Sequence, residues 1–260
     1  MRHVTIGGIG ASVRVLVQGQ DQDLVIAELR RAWSRALAPH GQLRGAPVHA
    51  SLLPDQNTQR GGTRVVSPNL KQLLQATTQA ITASLITAQA GRVLMFHAGA
   101  VSHPETGDTA VFVAAGGTGK TTLTRLASQH YGYVTDETVA VDESGAILPY
   151  PKPLSVRSGN GDPKAELSPD DLNLQRPLAT PRVRQLVLLR RQDGHEGVDV
   201  ETLHLMDAIL GLTPETSSLG RLDRGLHRLA DLIQATAPVQ RWTYREATDL
   251  MPLLASTLEP

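Results

Sequence analysis

Apolar and polar positions along the chain change rhythm several times, and each change marks an element. The opening "HVTIGGIGASVRVLVQG" alternates and is rich in β-branched residues, which predicts two short strands with a glycine bend between them. In "QDLVIAELRRAWSRALA" the positions Leu24, Val25, Leu29, Ala32 and Trp33 fall at helical spacing, so Trp33 is expected in a core. Residues 39–62 are rich in Pro, Gly, Asn and Gln and read as loop with one short strand. "SPNLKQLLQATTQAITASLITAQ" carries the longest helical pattern, with Ser67 as N-cap and Pro68 at the first helical position.

The texture shifts after Gly91. "RVLMFHAGAVS" and "TAVFVA" are strands separated by the turn-forming "HPETGD", a hairpin that feeds a glycine-rich loop. "GKTTLTRLASQH" is helical and is expected to end at Gly132, and "YVTDETVAV" is extended. "TVAVDESGAILPY" reads as a further hairpin and "VRQLVLLRR" as a buried strand. "SLGRLDRGLHRLADLIQATA" reads as an amphipathic helix, and "ATDLMPLLASTL" as a helix bent near Pro252. The expected organisation is an α/β chain with an N-terminal α+β segment over residues 1–90 and a second domain over residues 91–260. No internal repeat or low-complexity segment stands out.

Composition narrows the function classes. Twenty-five Lys+Arg balance twenty-five Asp+Glu, so no basic face for nucleic acid is advertised. No cysteine is present, which removes disulfides, thiolate metal sites and cysteine nucleophiles. Without a secretory signal pattern or an apolar run of the ~20 residues that cross a bilayer, the expectation is a cytoplasmic protein with no membrane partner.

Chemistry concentrates in "AAGGTGKTTL", residues 114–123. Ala114 to Thr121 fit G-x-x-x-x-G-K-[ST] except that Ala114 replaces the first glycine. Such a loop wraps phosphate with consecutive backbone N–H groups, and Gly116, Gly117 and Gly119 allow the positive φ and close approach this needs. The following helix adds its N-terminal dipole. Residues 115–122 (Ala115, Gly116, Gly117, Thr118, Gly119, Lys120, Thr121 and Thr122) are therefore the expected nucleotide-binding set. Lys120 is placed to reach the β- and γ-phosphates and Thr121 to ligate Mg²⁺. The chain has only four lysines, Lys71, Lys120, Lys152 and Lys164, which makes the placement of Lys120 informative. The plain alternative is a strand–helix connection that happens to contain GTGKTT.

One helix downstream, "YVTDET" offers Asp136 and Glu137. If its strand lies beside the loop strand in a right-handed crossover, Asp136 reaches the phosphate rim, to hold Mg²⁺ or to take a proton from an attacking hydroxyl. Glu137 is the second candidate carboxylate. Mirror pairing in a hairpin centred near Thr106 would set His97 opposite Ala115, next to the loop. A lone histidine in an apolar strand is otherwise a satisfied core residue. Arg157, Lys152 and Lys164 are weaker candidates for phosphate or substrate contacts, and "GNGDPKAE" for a closing loop.

"HAGAV" upstream of a hairpin, then "AAGGTGKTTL", "GYVTDETVAV" and "PYPKPLSVR", resembles HPr kinase/phosphorylase and its shorter bacterial relatives, over roughly residues 91–157. The resemblance implies a P-loop kinase core with a mixed sheet flanked by helices. It implies ATP and Mg²⁺ as cofactors, with Gly116, Gly117, Gly119, Lys120 and Thr121 at the phosphates. Asp136 becomes the base or metal-linked carboxylate, Glu137 a metal ligand, and His97 a neighbour in the site. The implied reaction phosphorylates a serine or other hydroxyl of a peptide, protein or small molecule, and the relatives are often homo-oligomers. Ala114, Gly116 and Glu137 depart from the residues usual in the family, and no counterpart of its HPr-recognition segment is evident. Two other readings are a nucleotide-binding accessory protein without phosphotransfer and a small-molecule kinase of the nucleotide or shikimate type.

Overall fold

The computed structural model describes residues 1–38, 44–53, 59–61, 63–156 and 163–259, with only the backbone of 59–61. The chain begins with β1 (Arg2–Gly8) and β2 (Ala11–Gln18), then α1 (Gln22–Ala32), β3 (Val48–Leu52), β4 (Gln59–Gly61), β5 (Arg64–Ser67) and α2 (Leu70–Gln89). It continues through β6 (Leu94–Ser102), β7 (Asp108–Val113), α3 (Lys120–Ala127), β8 (Gly132–Thr135), β9 (Thr138–Val141) and β10 (Ile147–Leu148). Short β11 (Leu154–Val156) and β12 (Ala165–Leu167) follow, then β13 (Arg182–Arg191) and β14 (Val198–Thr202). The last elements are α4 (Leu205–Leu212), α5 (Gly225–Ala235), β15 (Ala237–Tyr244) and α6 (Met251–Leu258).

Two compact units result, Met1–Gln89 with Pro151–Asn173 and Ala90–Tyr150 with Leu174–Pro260. In the first, a five-stranded mixed sheet of order β1-β2-β3-β5-β4 carries the helices, and β11 pairs with β12. Ile9 (φ 46°) and Gly10 (φ 78°) make the bend between β1 and β2. Trp33 is fully buried, as its spacing predicts. Residues 151–173 tie into this unit through polar contacts: Ser34 Oγ donates to Asp170 Oδ2 at 2.6 Å, and Arg35 pairs with Asp170 at 2.8 Å. Ser67 does not cap α2, because it is still the last residue of β5; Asn69 Oδ1 instead accepts from the Gln72 N–H at 3.2 Å.

The second unit is built on an eight-stranded mixed sheet, ordered β10-β9-β6-β7-β13-β15-β14, with β8 also paired to β6. β7 and β15 flank β13 in parallel, while β6 runs antiparallel to β7, β8 and β9. Strict alternation divides the strands between two cores. On one face Phe96, Ala98, Val111, Val113, Leu186 and Val239 meet α4 and α5 through Leu212, Leu229 and Ile233. On the other, Val101, Phe112, Val187 and Trp242 meet α3 and α6 through Leu123, Ala127 and Leu254. A sheet covered on both faces explains why these strands read as apolar runs.

Several sequence expectations shift here. α3 ends at Ala127, and Gly132 opens β8 instead of closing the helix. A Cβ on Gly132 would lie 2.7 Å from Pro177 N, so that glycine serves a close backbone approach. The segment "SLGRLDRGLHRLADLIQATA" is not one helix: Leu219–Arg221 form a 3₁₀ turn, Arg224 adopts φ 49°, and the α-helix begins only at Gly225.

Candidate functional site

The loop between β7 and α3 closes with two left-handed glycines, Gly117 at φ 85° and Gly119 at φ 95°, conformations that a side chain disfavours. A Cβ on Gly116 or on Gly117 would meet nothing within 4 Å among the described residues. The absence of side chains at these two positions therefore leaves open space over the backbone and does not answer to internal packing. The loop is braced from its own residues and from β15: Thr118 Oγ1 donates to Ala115 O at 2.9 Å, and the Tyr244 hydroxyl donates to Thr118 O at 2.5 Å. Nothing local in "QRWTY" announces Tyr244 as a loop residue; it arrives because β15 joins the sheet beside β13.

Lys120 opens α3 and is buried. Its ammonium donates to the carbonyls of Ala114 and Ala115, the latter at 2.9 Å, so the cation is folded back onto the strand side of the loop. Burial pulls its pKa below the usual lysine value; Glu215, then Asp136, then Glu137 oppose that pull through their charge. Three acidic side chains thus act on this one ammonium. Thr121 is half-buried and Thr122 exposed, both in the first turn of the helix.

The acids do not come by the expected crossover. β8 is not the neighbour of β7; β6 lies between them and is antiparallel to both. Two strands antiparallel to a common partner run in the same direction, so β7 and β8 still end at the same rim. Asp136 and Glu137 occupy the bend between β8 and β9. Asp136 is 5% exposed, and its Oδ1 accepts from the Tyr133 hydroxyl at 3.1 Å. Burial, and then the charge of Asp136, push the Tyr133 phenol well above its ordinary pKa, so it stays a donor at neutral pH. The Glu137 side chain is half-buried, and its backbone carbonyl accepts from the Ala98 N–H at 3.0 Å. This ties the acid bend to β6 and hence to the hairpin that leads into the loop.

His97 is also displaced from its expected register. The hairpin turn is closed by His103 and Asp108, and Ala98 pairs with Val113, so His97 is not opposite Ala115. Gly99, two residues on, faces α3, where a Cβ would come within 2.3 Å of Thr124 Oγ1; His97 shares that face by strand alternation. Its ring is not a buried core side chain. It is 43% exposed, with Nδ1 at 3.2 Å from Glu215 Oε2. Glu215 was not legible as a site residue: it ends a 3₁₀ turn (Thr213–Glu215) in "LTPETSS", far along the chain. Phe96 bridges to Thr216, and the Ser217 N–H donates to Met95 O at 2.8 Å, which lays this segment beside β6.

Of the weaker candidates, Lys152 and Lys164 belong to the first unit, where Lys152 is buried and donates to Pro153 O at 2.8 Å. Arg157 and the first half of "GNGDPKAE", residues 159–162, lie outside the described residues. A cavity of ≈ 390 Å³ lined by Leu94, Asp142, Glu143, Arg228 and Leu232 also opens on the second unit, but none of the sequence-predicted site residues lines it.

The donor set at the rim is oxygen-rich: a threonine hydroxyl, Thr121, and two carboxylates, Asp136 and Glu137. Among the described residues no group of three or more His, Asp or Glu could hold a metal ion by itself. One or two carboxylates with a hydroxyl fit an ion such as Mg²⁺, which keeps waters and takes its remaining ligands from substrate phosphates. No helix among the described residues is long and apolar enough to cross a membrane.

No protein-family model matches the chain, and no curated protein matches its sequence. Among solved structures, one described as the Hpr(Ser) kinase/phosphatase from Coxiella burnetii is similar at 14% identity and a TM-score of 0.30; the match covers 63% of this chain and 92% of that one.

Proposed function

We propose that this chain is an ATP-dependent phosphotransferase that moves the γ-phosphoryl group to a hydroxyl of a peptide, protein or small molecule. One observation carries the reading. A buried ammonium, Lys120, sits in a glycine loop whose open positions, Gly116 and Gly117, leave room over the backbone. The loop lies at the sheet rim that also receives Asp136.

In this reading the amides of residues 115–120 and the dipole of α3 bind the triphosphate. Lys120 leaves the carbonyls of Ala114 and Ala115 for the β- and γ-phosphate oxygens, exchanging a bond to a neutral acceptor for one to an anion. Thr121, Asp136 and Glu137 are the residues to hold Mg²⁺, which would supply charge neutralisation on the phosphates. The hydroxyl oxygen of the acceptor forms a bond to the γ-phosphorus, and the bond to the β,γ-bridging oxygen breaks to release ADP. The hydroxyl proton passes to a base at the rim, and Asp136 and His97 are the two side chains suited to receive it. Most of the rate enhancement in such a site comes from positioning and charge.

The test is incubation of the full chain with γ-labelled ATP and Mg²⁺, followed by a search for label in protein, peptide and metabolite fractions. Label on a hydroxyl of any of these supports the proposal. Bound ATP with label neither transferred nor released instead favours an accessory protein that senses the nucleotide.

A further inference from the structure

The contact between His97 and Glu215 is unexplained by packing alone, because both side chains keep access to solvent, at 43% and 19% exposure. A carboxylate can only accept a hydrogen bond, so at 3.2 Å the Nδ1 of His97 must be the donor. In the neutral ring that choice fixes the tautomer: Nε2 carries the lone pair. A lone pair suits a hydroxyl, which donates, and repels a phosphate oxygen, which accepts. Asp136 differs on each count, since it is buried and one of its oxygens is engaged by the Tyr133 hydroxyl.

We infer that Glu215 and His97 form a carboxylate–imidazole dyad that engages the acceptor side of the reaction, with Glu215 as the positioning residue and His97 Nε2 as the atom that takes the hydroxyl proton. This rests on the phosphotransferase reading and deepens it. As the acceptor oxygen bonds to the γ-phosphorus, its proton moves to Nε2 and the imidazolium formed is held by the Glu215 carboxylate; ADP departs with the bridging oxygen. Asp136 is thereby left to the metal. The segment carrying Glu215 is fastened to β6 through Phe96–Thr216 and Ser217–Met95, at the two strand residues that immediately precede His97, so the pair is held by the sheet.

Two measurements on the full chain test this. The first is ¹⁵N NMR of the imidazoles, with His97 assigned by its disappearance in His97→Asn. The wild type is expected to show a protonated Nδ1 and an unprotonated Nε2. Glu215→Ala should shift the ring toward the Nε2–H tautomer, while Glu215→Gln, whose amide oxygen still accepts, should retain Nδ1–H. An unchanged tautomer in Glu215→Ala overturns the dyad. The second is phosphate release from Mg²⁺·ATP with water as the acceptor, alongside the affinity for a non-hydrolysable ATP analogue. His97→Ala and Glu215→Ala should each lower turnover on the order of 10²-fold with nucleotide affinity little changed, and the double variant should be no slower than His97→Ala. Multiplicative losses would show Glu215 acting independently of His97 and refute the inference. A wild type that neither binds nor turns over ATP overturns the phosphotransferase reading and the dyad's chemical role together; the tautomer result still reports separately on whether the dyad exists.

Discussion

Gly99 offers the sharpest structural test, because the helix carrying Lys120 packs against β6 at this residue. A Cβ added there would lie 2.3 Å from Thr124 Oγ1, 3.6 Å from Thr124 Cβ and 3.7 Å from Thr135 O. Only the first contact is impossible, and it needs more than an ångström of retreat. Thr124 is in the middle of α3, so relief must come from tilting the helix or from an unfavourable rotamer. Overpacking of this kind costs about 1–3 kcal/mol. At roughly 2–4 °C per kcal/mol for a unit of this size, Gly99→Ala should lower Tm by several degrees. The same geometry specifies the rescue. Thr124 Oγ1 is buried and has no hydrogen-bond partner among the described residues, so Thr124→Ala removes an unsatisfied hydroxyl and breaks no described bond. Its remaining cost is about one methyl group, on the order of 0.8 kcal/mol. In the double variant the clash is gone, and a favourable coupling of about 1–2 kcal/mol is expected between the two sites. Calorimetric or fluorescence-monitored melting of the four proteins measures it directly. Strict additivity, or a Gly99→Ala protein as stable as wild type, would refute the close approach of β6 to α3.

Two other outcomes follow from the site and the C-terminal helix. Asp136→Asn should retain binding of a non-hydrolysable ATP analogue and lose turnover by on the order of 10²-fold or more, because the isostere keeps the Tyr133 hydrogen bond but not the charge; full activity would assign the metal-holding carboxylate elsewhere. Burial, and then the 2.8 Å hydrogen bond to Glu259, push the Tyr131 phenol up to about 12. Its neutral form is thus favoured by folding, so its stabilisation is full below about pH 10 and is lost as pH rises from about 10 to about 12. Denaturation series over that range should show a slope that Tyr131→Phe reduces.

Local chain chemistry was readable, and tertiary pairing was not. The glycine loop announces itself because positive φ and open backbone demand glycine at specific offsets. Buried strands such as β13 announce themselves through unbroken apolar runs. β15 escaped because "PVQRWTY" mixes polar and aromatic residues, yet Trp242 and Tyr244 are both fully buried by their neighbours. Asp136 reached the rim by a route other than the expected one: the sequence suggests a strand and its direction, but it does not say that β6 intervenes. The one-residue register of His97 depends on which residues close a turn containing Pro104 and Gly107, and several closures are compatible with the same letters. Glu215 is a purely tertiary member of the site, brought in by a 3₁₀ turn docked on β6, and no local pattern distinguishes it from a surface acid.

The central claim is that the loop around Gly117 closes on the tail of a nucleoside triphosphate with Lys120 as its cation. Isothermal titration of the full chain with a non-hydrolysable ATP analogue and Mg²⁺ measures this without requiring an acceptor. The account predicts saturable one-to-one binding that Lys120→Ala weakens by about tenfold or more, equivalent to ~1.4 kcal/mol or more. Absence of binding by the wild-type chain, or equal affinity in Lys120→Ala, would contradict it.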